Sequence, residues 1–326
     1  MLTLPIQIGL IQYPGAMLSA VQGLQDLFCL ANYICEQNGS NRRFSSIVYA
    51  PDQHTQRWEL PLNEQEAALQ VLIVPPRMDG ETYLSPDQVL KAWICQHHKQ
   101  GAIICSACAG TFVLAATGLL DHRRATTHWD LVSQFKERYP NTTLEVNQLL
   151  INDGDIITAG GLMSWIDLGL ELVGQFMHPK IMRQLGKYMI VDTGQREQRY
   201  YQSFIPKLDH GDTEIIQVQH FIQAHLDEAL SVHSLLAQCF LSERTFLRRF
   251  FKATTLTPKQ YIQKVRIQRA CELIESTNET FELISQQVGY IDNSAFRKTF
   301  IKIIGLTPRE FRNRFASREQ TFLQSL

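Results

Sequence analysis

Three features are scarce in this 326-residue chain, and each scarcity removes a class of protein. Net charge is almost absent at −1, which argues against a polycationic nucleic-acid coat and against an acidic, disordered chain. Cysteines that could pair into a framework are missing. The seven present, Cys29, Cys35, Cys95, Cys105, Cys108, Cys239 and Cys271, are odd in number and scattered through apolar stretches, a usage that predicts reduced thiols. Targeting signals are the third absence: residues 1–10 have neither the basic start nor the cleavage pattern of a secretory leader. Residues 102–120 do run for 19 positions without a charge, which on length alone suggests a membrane span. Gly110 and Gly118 punctuate that run, and its Ala, Ser, Thr and Cys content predicts a buried strand, a turn and a core helix instead. A soluble, cytoplasmic protein without membrane partners is expected.

Hydrophobic residues make up 44% and charged residues 19%, enough apolar material for true cores, and the length suits two domains. The near-zero net charge hides an asymmetry. Residues 1–211 carry 16 Lys and Arg against 20 Asp and Glu, whereas residues 212–326 carry 15 against 12, so the two parts hold −4 and +3. That mild basic excess is compatible with a nucleic-acid partner for the C-terminal part.

The C-terminal part repeats itself at an offset of 50 residues. Phe246, Phe250, Lys252, Leu256, Thr257, Pro258 and Tyr261 correspond to Phe296, Phe300, Lys302, Leu306, Thr307, Pro308 and Phe311. Each copy reads as a short apolar helix (232–238 and 281–287), a tight turn, and a second helix (243–254 and 293–304) opened by Ser242 or Asp292 as N-cap. The phenylalanines at i and i+4 anchor one face of each second helix. The opposite faces present Arg244, Thr245, Arg248 and Lys252 in the first copy, and Asn293, Ser294, Arg297 and Lys298 in the second. Such donor-rich side chains read purine edges and grip phosphates. Arg249 adds further charge to the first helix. Thr257-Pro258 and Thr307-Pro308 predict an N-cap followed by proline at the first helical position. The helix expected over 258–276 spans about 28 Å, a spacer on the scale of one turn of B-DNA, roughly 34 Å.

This pattern resembles the DNA-binding domain of the AraC family, most diagnostically over residues 284–311, with Val288-Gly289-Tyr290, Ser294, Phe296, Phe300, Gly305, Leu306, Thr307 and Pro308. Two positions depart from it: Thr255 replaces the glycine expected before Leu256, and Ile291 stands where a small polar residue is usual. The resemblance implies promoter DNA and RNA polymerase as partners.

Residues 1–198 alternate strand-like segments (6–12, 46–49, 71–74, 102–105) with helical ones (24–35, 86–99), which predicts a parallel α/β sheet flanked by helices. A linker is expected over 199–212, and the all-α domain with two helix-turn-helix units over 213–326. In Ile104-Cys105-Ser106-Ala107-Cys108-Ala109-Gly110-Thr111 a strand runs into a helix, a turn that can hold a nucleophile at Cys108; His128, in Ala125-Thr126-Thr127-His128-Trp129, could serve as its base. Cys105-x-x-Cys108 also has the spacing of a redox pair. His97-His98 lack further ligands at a metal spacing, so an exposed surface, no metal and no cofactor are expected.

The N-terminal domain resembles the flavodoxin-like amidotransferase superfamily of PfpI-type proteases and deglycases. It is closest to the version fused to AraC domains, the GlxA-type regulators, through Gly118-Leu119-Leu120-Asp121, residues 125–129, Thr158-Ala159-Gly160-Gly161 leading to Asp167, and residues 195–202. The resemblance puts Cys108 at the nucleophile position. However, no acidic residue lies between the first strand and Ser19, where the enzymes place a carboxylate beside the thiol, and Ala109 stands where the protease branch has histidine. It therefore implies a non-catalytic domain that dimerises and senses a small-molecule effector near Cys108, Ala109 and His128, in an activator of catabolic genes for amino acids or quaternary amines. A cysteine-dependent hydrolase or deglycase with an appended DNA module, and a redox sensor at Cys108, are the alternatives.

Overall fold

The computed structural model describes residues 4–52, 54–55, 58, 68–194 and 196–316. The chain forms two compact units, Met1–Gln198 and Arg199–Leu326. In the first, β1 (Ile6–Ile11), α1 (Leu18–Gln37), β2 (Phe44–Tyr49), β3 (Val71–Val74), α2 (Gln88–Lys99), β4 (Ile103–Ala107) and α3 (Gly110–Ala115) follow one another. A small pair, β5 (Arg124–Ala125) and β6 (Thr143–Leu144), brackets α4 (Val132–Arg138). Then come β7 (Leu150–Asn152), β8 (Ile156–Ala159), α5 (Trp165–Phe176) and α6 (Pro179–Met189). The main sheet has the order β2-β1-β3-β4-β8-β7, parallel throughout except for β7.

Strands covered on both faces read as continuous apolar runs, and β3, Val71-Leu72-Ile73-Val74, is buried at every position. Side chains alternate across the sheet. Val71, Ile73, Cys105 and Ala107 face α1, α5 and α6, while Leu72, Val74 and Ile104 face α2, α3 and α4. Gly23 of α1 admits the Trp165 ring, since a Cβ there would lie 2.4 Å from it. Residues 102–120 form β4, a turn and α3, all in the core, and no described helix is long and apolar enough to cross a membrane.

The second unit is all-α: α7 (Thr213–Ala224), α8 (Val232–Leu236), α9 (Glu243–Thr254), α10 (Pro258–Ser276), α11 (Phe281–Gln287), α12 (Asn293–Ile304) and α13 (Pro308–Phe315). It contains two lobes, each with its own core. Phe246 and Phe250 fill the first with Ile215, Val218 and Tyr261; Phe296 and Phe300 fill the second with Ile267, Ile274 and Phe311. Each of those phenylalanines is 0–2% exposed, and such burial is worth about 1.5–3 kcal/mol per side chain. Helix α10 belongs to both lobes, because its buried residues turn from the first core at Tyr261, Ile262 and Val265 to the second at Ile267, Ala270 and Ile274.

Local capping accounts for the helix boundaries. Thr257 and Thr307 form capping boxes with Gln260 and Glu310, each followed by proline, and Asp292 accepts the Ser294 N–H at 2.8 Å. Two expectations are corrected. Helix α8 ends at Leu236, two residues short of the predicted boundary. Ser242 precedes α9 without capping it by a side-chain bond, because its hydroxyl donates to Thr245 Oγ1 at 3.0 Å. Ahead of α7, Phe204 packs edge-on against Tyr261 and donates its N–H to Gln268 Oε1 at 2.9 Å, and Tyr201 meets Phe315. Aromatic side chains that would cost free energy in water carry this segment into the second unit.

Candidate nucleic-acid interface and the site at Cys108

The two lobes present equivalent surfaces. Arg244, Arg248 and Lys252 are exposed on α9 with Thr245 half-buried, and Asn293, Ser294, Arg297 and Lys298 are exposed on α12, each set opposite its buried phenylalanine pair. Among the described residues, no carboxylate pairs with Arg244, Arg248, Lys252 or Lys298, so their charges are open to a polyanion, while Arg297 lies within the electrostatic reach of Glu310. Arg249 behaves otherwise. Its guanidinium donates to both carboxylate oxygens of Asp212, at 2.8 and 2.5 Å, and this pairing holds Asp212 below the usual carboxylate range. The charge that Arg249 was expected to add to the first helix is therefore neutralised, leaving Arg244, Arg248 and Lys252 on α9 beside Arg297, Lys298 and Lys302 on α12.

A close approach holds the lobes together. Gly289 has φ +79°, and a Cβ there would lie 2.2 Å from the Leu226 carbonyl oxygen of the first lobe. Arg266 of α10 donates to the Glu228 carbonyl at 2.6 Å and lies over the Tyr290 ring of the second lobe at 5.5 Å. The glycine of Val288-Gly289-Tyr290 is thus required by both its backbone conformation and its neighbours.

In the first unit, β4 runs straight into Cys108, whose φ of +54° lies in the left-handed region that a side chain rarely adopts. The surrounding hydrogen bonds over-determine that turn. Cys108 N–H donates to Ala159 O at 2.8 Å, and its carbonyl accepts from Thr127 Oγ1 at 2.7 Å. Gly110 lets the turn approach β3, since a Cβ would lie 2.6 Å from the carbonyls of Val74 and Pro75. Behind it, Thr111 Oγ1 donates to Thr126 O, Thr126 N–H donates to Thr158 Oγ1, and buried Gln198 Nε2 donates to Thr126 Oγ1 at 3.0 Å and Thr127 O at 2.9 Å. The Ala125-Thr126-Thr127 motif is therefore the polar frame of the elbow.

The elbow is built as a nucleophile's would be, but the thiol is muted. Cys108 is 5% exposed, and burial pushes it up to about 11 against the smaller opposing effects of the Ala109 N–H and Arg77. Tyr13 shares the buried cluster of Cys108 and donates to Pro75 O at 3.0 Å. His128 opens the short helical turn that follows the Ala125-Thr126-Thr127 motif. Its Nδ1 accepts the Asp130 N–H at 3.2 Å, and burial lowers its basicity. Cys105 and Cys108 belong to clusters on opposite faces of the sheet, so they cannot form a redox pair without rebuilding β4. His97 and His98 are half-buried, not exposed as expected: His98 Nε2 lies 2.6 Å from Asp155, and the His97 ring stands edge-on to Trp93.

Cys108 and Ala109 lie in the core, and the cavity opens beside them. A crevice of about 670 Å3 lies at the carboxyl ends of β1, β2 and β3, lined among others by Gln12, Tyr13, Met17, Ser19, Met78 and Asp79. In the order β2-β1-β3, the helix after β1 packs on one face of the sheet and the helix after β3 on the other, so the strand order reverses here, the place where open α/β sheets receive ligands. Tyr13 belongs both to this lining and to the cluster around Cys108. Tyr13, Arg77 and Gln198 went unrecognised in the sequence; the one available signal was Tyr13's place directly after the first strand.

Comparison with known proteins agrees with both units. Residues 46–175 match the DJ-1/PfpI family, and residues 235–314 match a helix-turn-helix domain family. The chain joins a DJ-1/PfpI-type α/β domain to an AraC-type helix-turn-helix domain. It is 28% identical over 221 residues to the HTH-type transcriptional regulator ArgR of Pseudomonas aeruginosa, covering 66% of this chain and 65% of that one. With the HTH-type transcriptional regulator CdhR of the same organism it shares 26% over 225 residues, 68% and 66% of the two chains. The MmsAB operon regulatory protein of P. aeruginosa is 32% identical over 107 residues, 33% of this chain and 35% of its own. The chain spans just under two thirds of the length of the first two relatives.

Proposed function

We propose that this chain is a sequence-specific DNA-binding transcription regulator whose N-terminal domain senses a small-molecule effector and does not catalyse. The observation that carries the reading is the paired presentation of open cations and amide or hydroxyl donors on α9 and α12, one set in each lobe, with α10 as a common strut about 28 Å long. Spacing on that scale suits recognition helices entering successive major grooves on one side of a duplex. The regulator names of the relatives support it. Promoter DNA and RNA polymerase are its partners, the cytoplasm its location, and activation of catabolic genes its task. A homodimer forms through the N-terminal domain. The effector enters the crevice beside Tyr13 and acts by binding the DNA-competent arrangement more tightly than the alternative.

One observation favours an enzyme, the strained elbow at Cys108. Against it stand a thiol pushed up to about 11 and a histidine whose Nδ1 is engaged by the Asp130 N–H. The test of the DNA reading is a footprint on the promoter with Arg248→Ala and Lys298→Ala. Each is expected to weaken specific binding by about 1–3 kcal/mol if it meets a base edge. A footprint and an affinity unchanged by both substitutions would remove the recognition helices from the interface.

A further inference from the structure

The same faces that carry the open cations also carry apolar side chains in water. Leu247 lies on α9 three residues after Arg244, which places the two side by side on the helix surface, and it is 37% exposed. Ile291 lies in the turn just before the Asp292 cap of α12, two residues ahead of Asn293, and it is 100% exposed. Single exposed apolar residues are ordinary on protein surfaces. Phe240 and Phe251 in the first lobe and Leu283 and Ile301 in the second are exposed as well, at 101%, 56%, 43% and 37%.

The repeat makes the placement more informative. At the offset of 50, Leu247 corresponds to Arg297, and Ile291 corresponds to Leu241, which is packed against the first lobe's core. Each lobe exposes more than one apolar group near its donors, with Phe251 of α9 and Ile301 of α12 at equivalent positions, whereas Leu247 and Ile291 have no exposed apolar counterpart in the other lobe. Position 291 is also a departure from the family pattern, where a small polar residue is usual. In the major groove of a duplex every base edge offers polar atoms, and the apolar group available to such a side chain is the C5-methyl of thymine.

We infer that Leu247 and Ile291 are specificity-determining residues, each of which packs against a thymine methyl group in the half-site read by its own lobe. The inference rests on the DNA-binding reading above and adds a base identity to it. Because the two apolar groups sit at non-equivalent positions, the half-sites are unequal, with the thymine displaced relative to the purines that the arginines and Asn293 read.

The test uses the full-length protein and duplexes that it enriches from a random-sequence pool. Each thymine of an enriched duplex is replaced in turn by deoxyuridine, which removes the methyl and leaves base pairing intact. One replacement in each half-site is expected to weaken binding by about fourfold, the equivalent of one buried methyl group. Ile291→Ala should abolish the sensitivity in the second half-site alone, Leu247→Ala in the first alone, and Ile291→Val, which keeps a branched apolar tip, should retain it. Circular dichroism checks that these surface variants fold. Enrichment with no uracil-sensitive thymine, or sensitivity that persists in the alanine variants, overturns the inference and leaves the DNA-binding reading standing. Failure to enrich any sequence overturns both. Unchanged DNA binding by Ile291→Ala with lost promoter activation would assign the residue to a protein partner and also overturn it.

Discussion

The muted thiol at Cys108 gives the sharpest quantitative expectation. Thiolate is the species that alkylating agents and peroxides attack. With Cys108 at about 11 against an ordinary 9.0, its thiolate fraction at pH 7 is about one in ten thousand where an unperturbed thiol has about one in a hundred. A more basic thiolate is intrinsically more nucleophilic, with a Brønsted slope of about 0.4–0.5, which recovers roughly six- to tenfold of that hundredfold deficit. Ionisation alone therefore slows Cys108 by about tenfold, and its 5% exposure slows it further. The assay is timed iodoacetamide labelling of the native protein at pH 7, read peptide by peptide in a mass spectrometer, with exposed Cys29 as internal reference. Cys29 should be labelled at least tenfold faster than Cys108, and in urea the two should converge. The direction with pH follows from the same shift. A thiol whose folded pKa is raised adds stability that is complete below about 9 and is lost as pH rises towards about 11, so labelling should accelerate and stability fall over that range. Labelling of native Cys108 at pH 7 as fast as Cys29 would refute the reasoning and revive the catalytic and redox readings together.

Two further substitutions probe the strut between the lobes and its boundaries. Gly289→Ala should cost about 2 kcal/mol or more, because its Cβ would lie 2.2 Å from the Leu226 carbonyl, and thermal unfolding should show a clearly lowered midpoint; an unchanged midpoint would mean that the lobes do not touch there in solution. Thr255→Gly should act in the opposite direction. Thr255 closes α9 at φ +59° with its N–H on Phe251 O, where the second copy has Gly305 at φ +87°. Removing a left-handed penalty of about 1–2 kcal/mol, less about 0.4–1 kcal/mol for the freer unfolded chain, predicts a net gain of about 0.5–1 kcal/mol in urea denaturation. A loss of stability would show that the Thr255 hydroxyl, which donates to Thr254 O, outweighs the strain.

Much of the second unit was legible because its signals are local. The predicted 243–254, 258–276, 281–287 and 293–304 coincide with α9 to α12, since Asp292, Thr257-Pro258 and the phenylalanines at i and i+4 act within one or two turns of themselves. Where a side chain had a choice of partner, locality was insufficient: Ser242 found Thr245 in place of a backbone N–H, and α8 stopped at Leu236. The alternation of strands and helices likewise announced the α/β class, and Cys108 stood out by its small neighbours at a strand end. Its backbone strain and its muted thiol did not.

Composition, periodicity and the 50-residue repeat by themselves determined the two fold classes, the boundaries of α9 to α12 and the candidates for the reading face. Tertiary structure alone decided which of those candidates are free and what surrounds the thiol. Arg249 is withdrawn by Asp212, 37 residues away, and Tyr13 reaches Cys108 from the far end of a neighbouring strand connection. Gln198 closes the frame behind the elbow from 71 and 72 residues beyond the threonines it holds. The physical reason is common to all three: charge pairing and burial depend on distances in space, and a residue's chemistry on a sheet edge is set by neighbours that the linear order keeps apart.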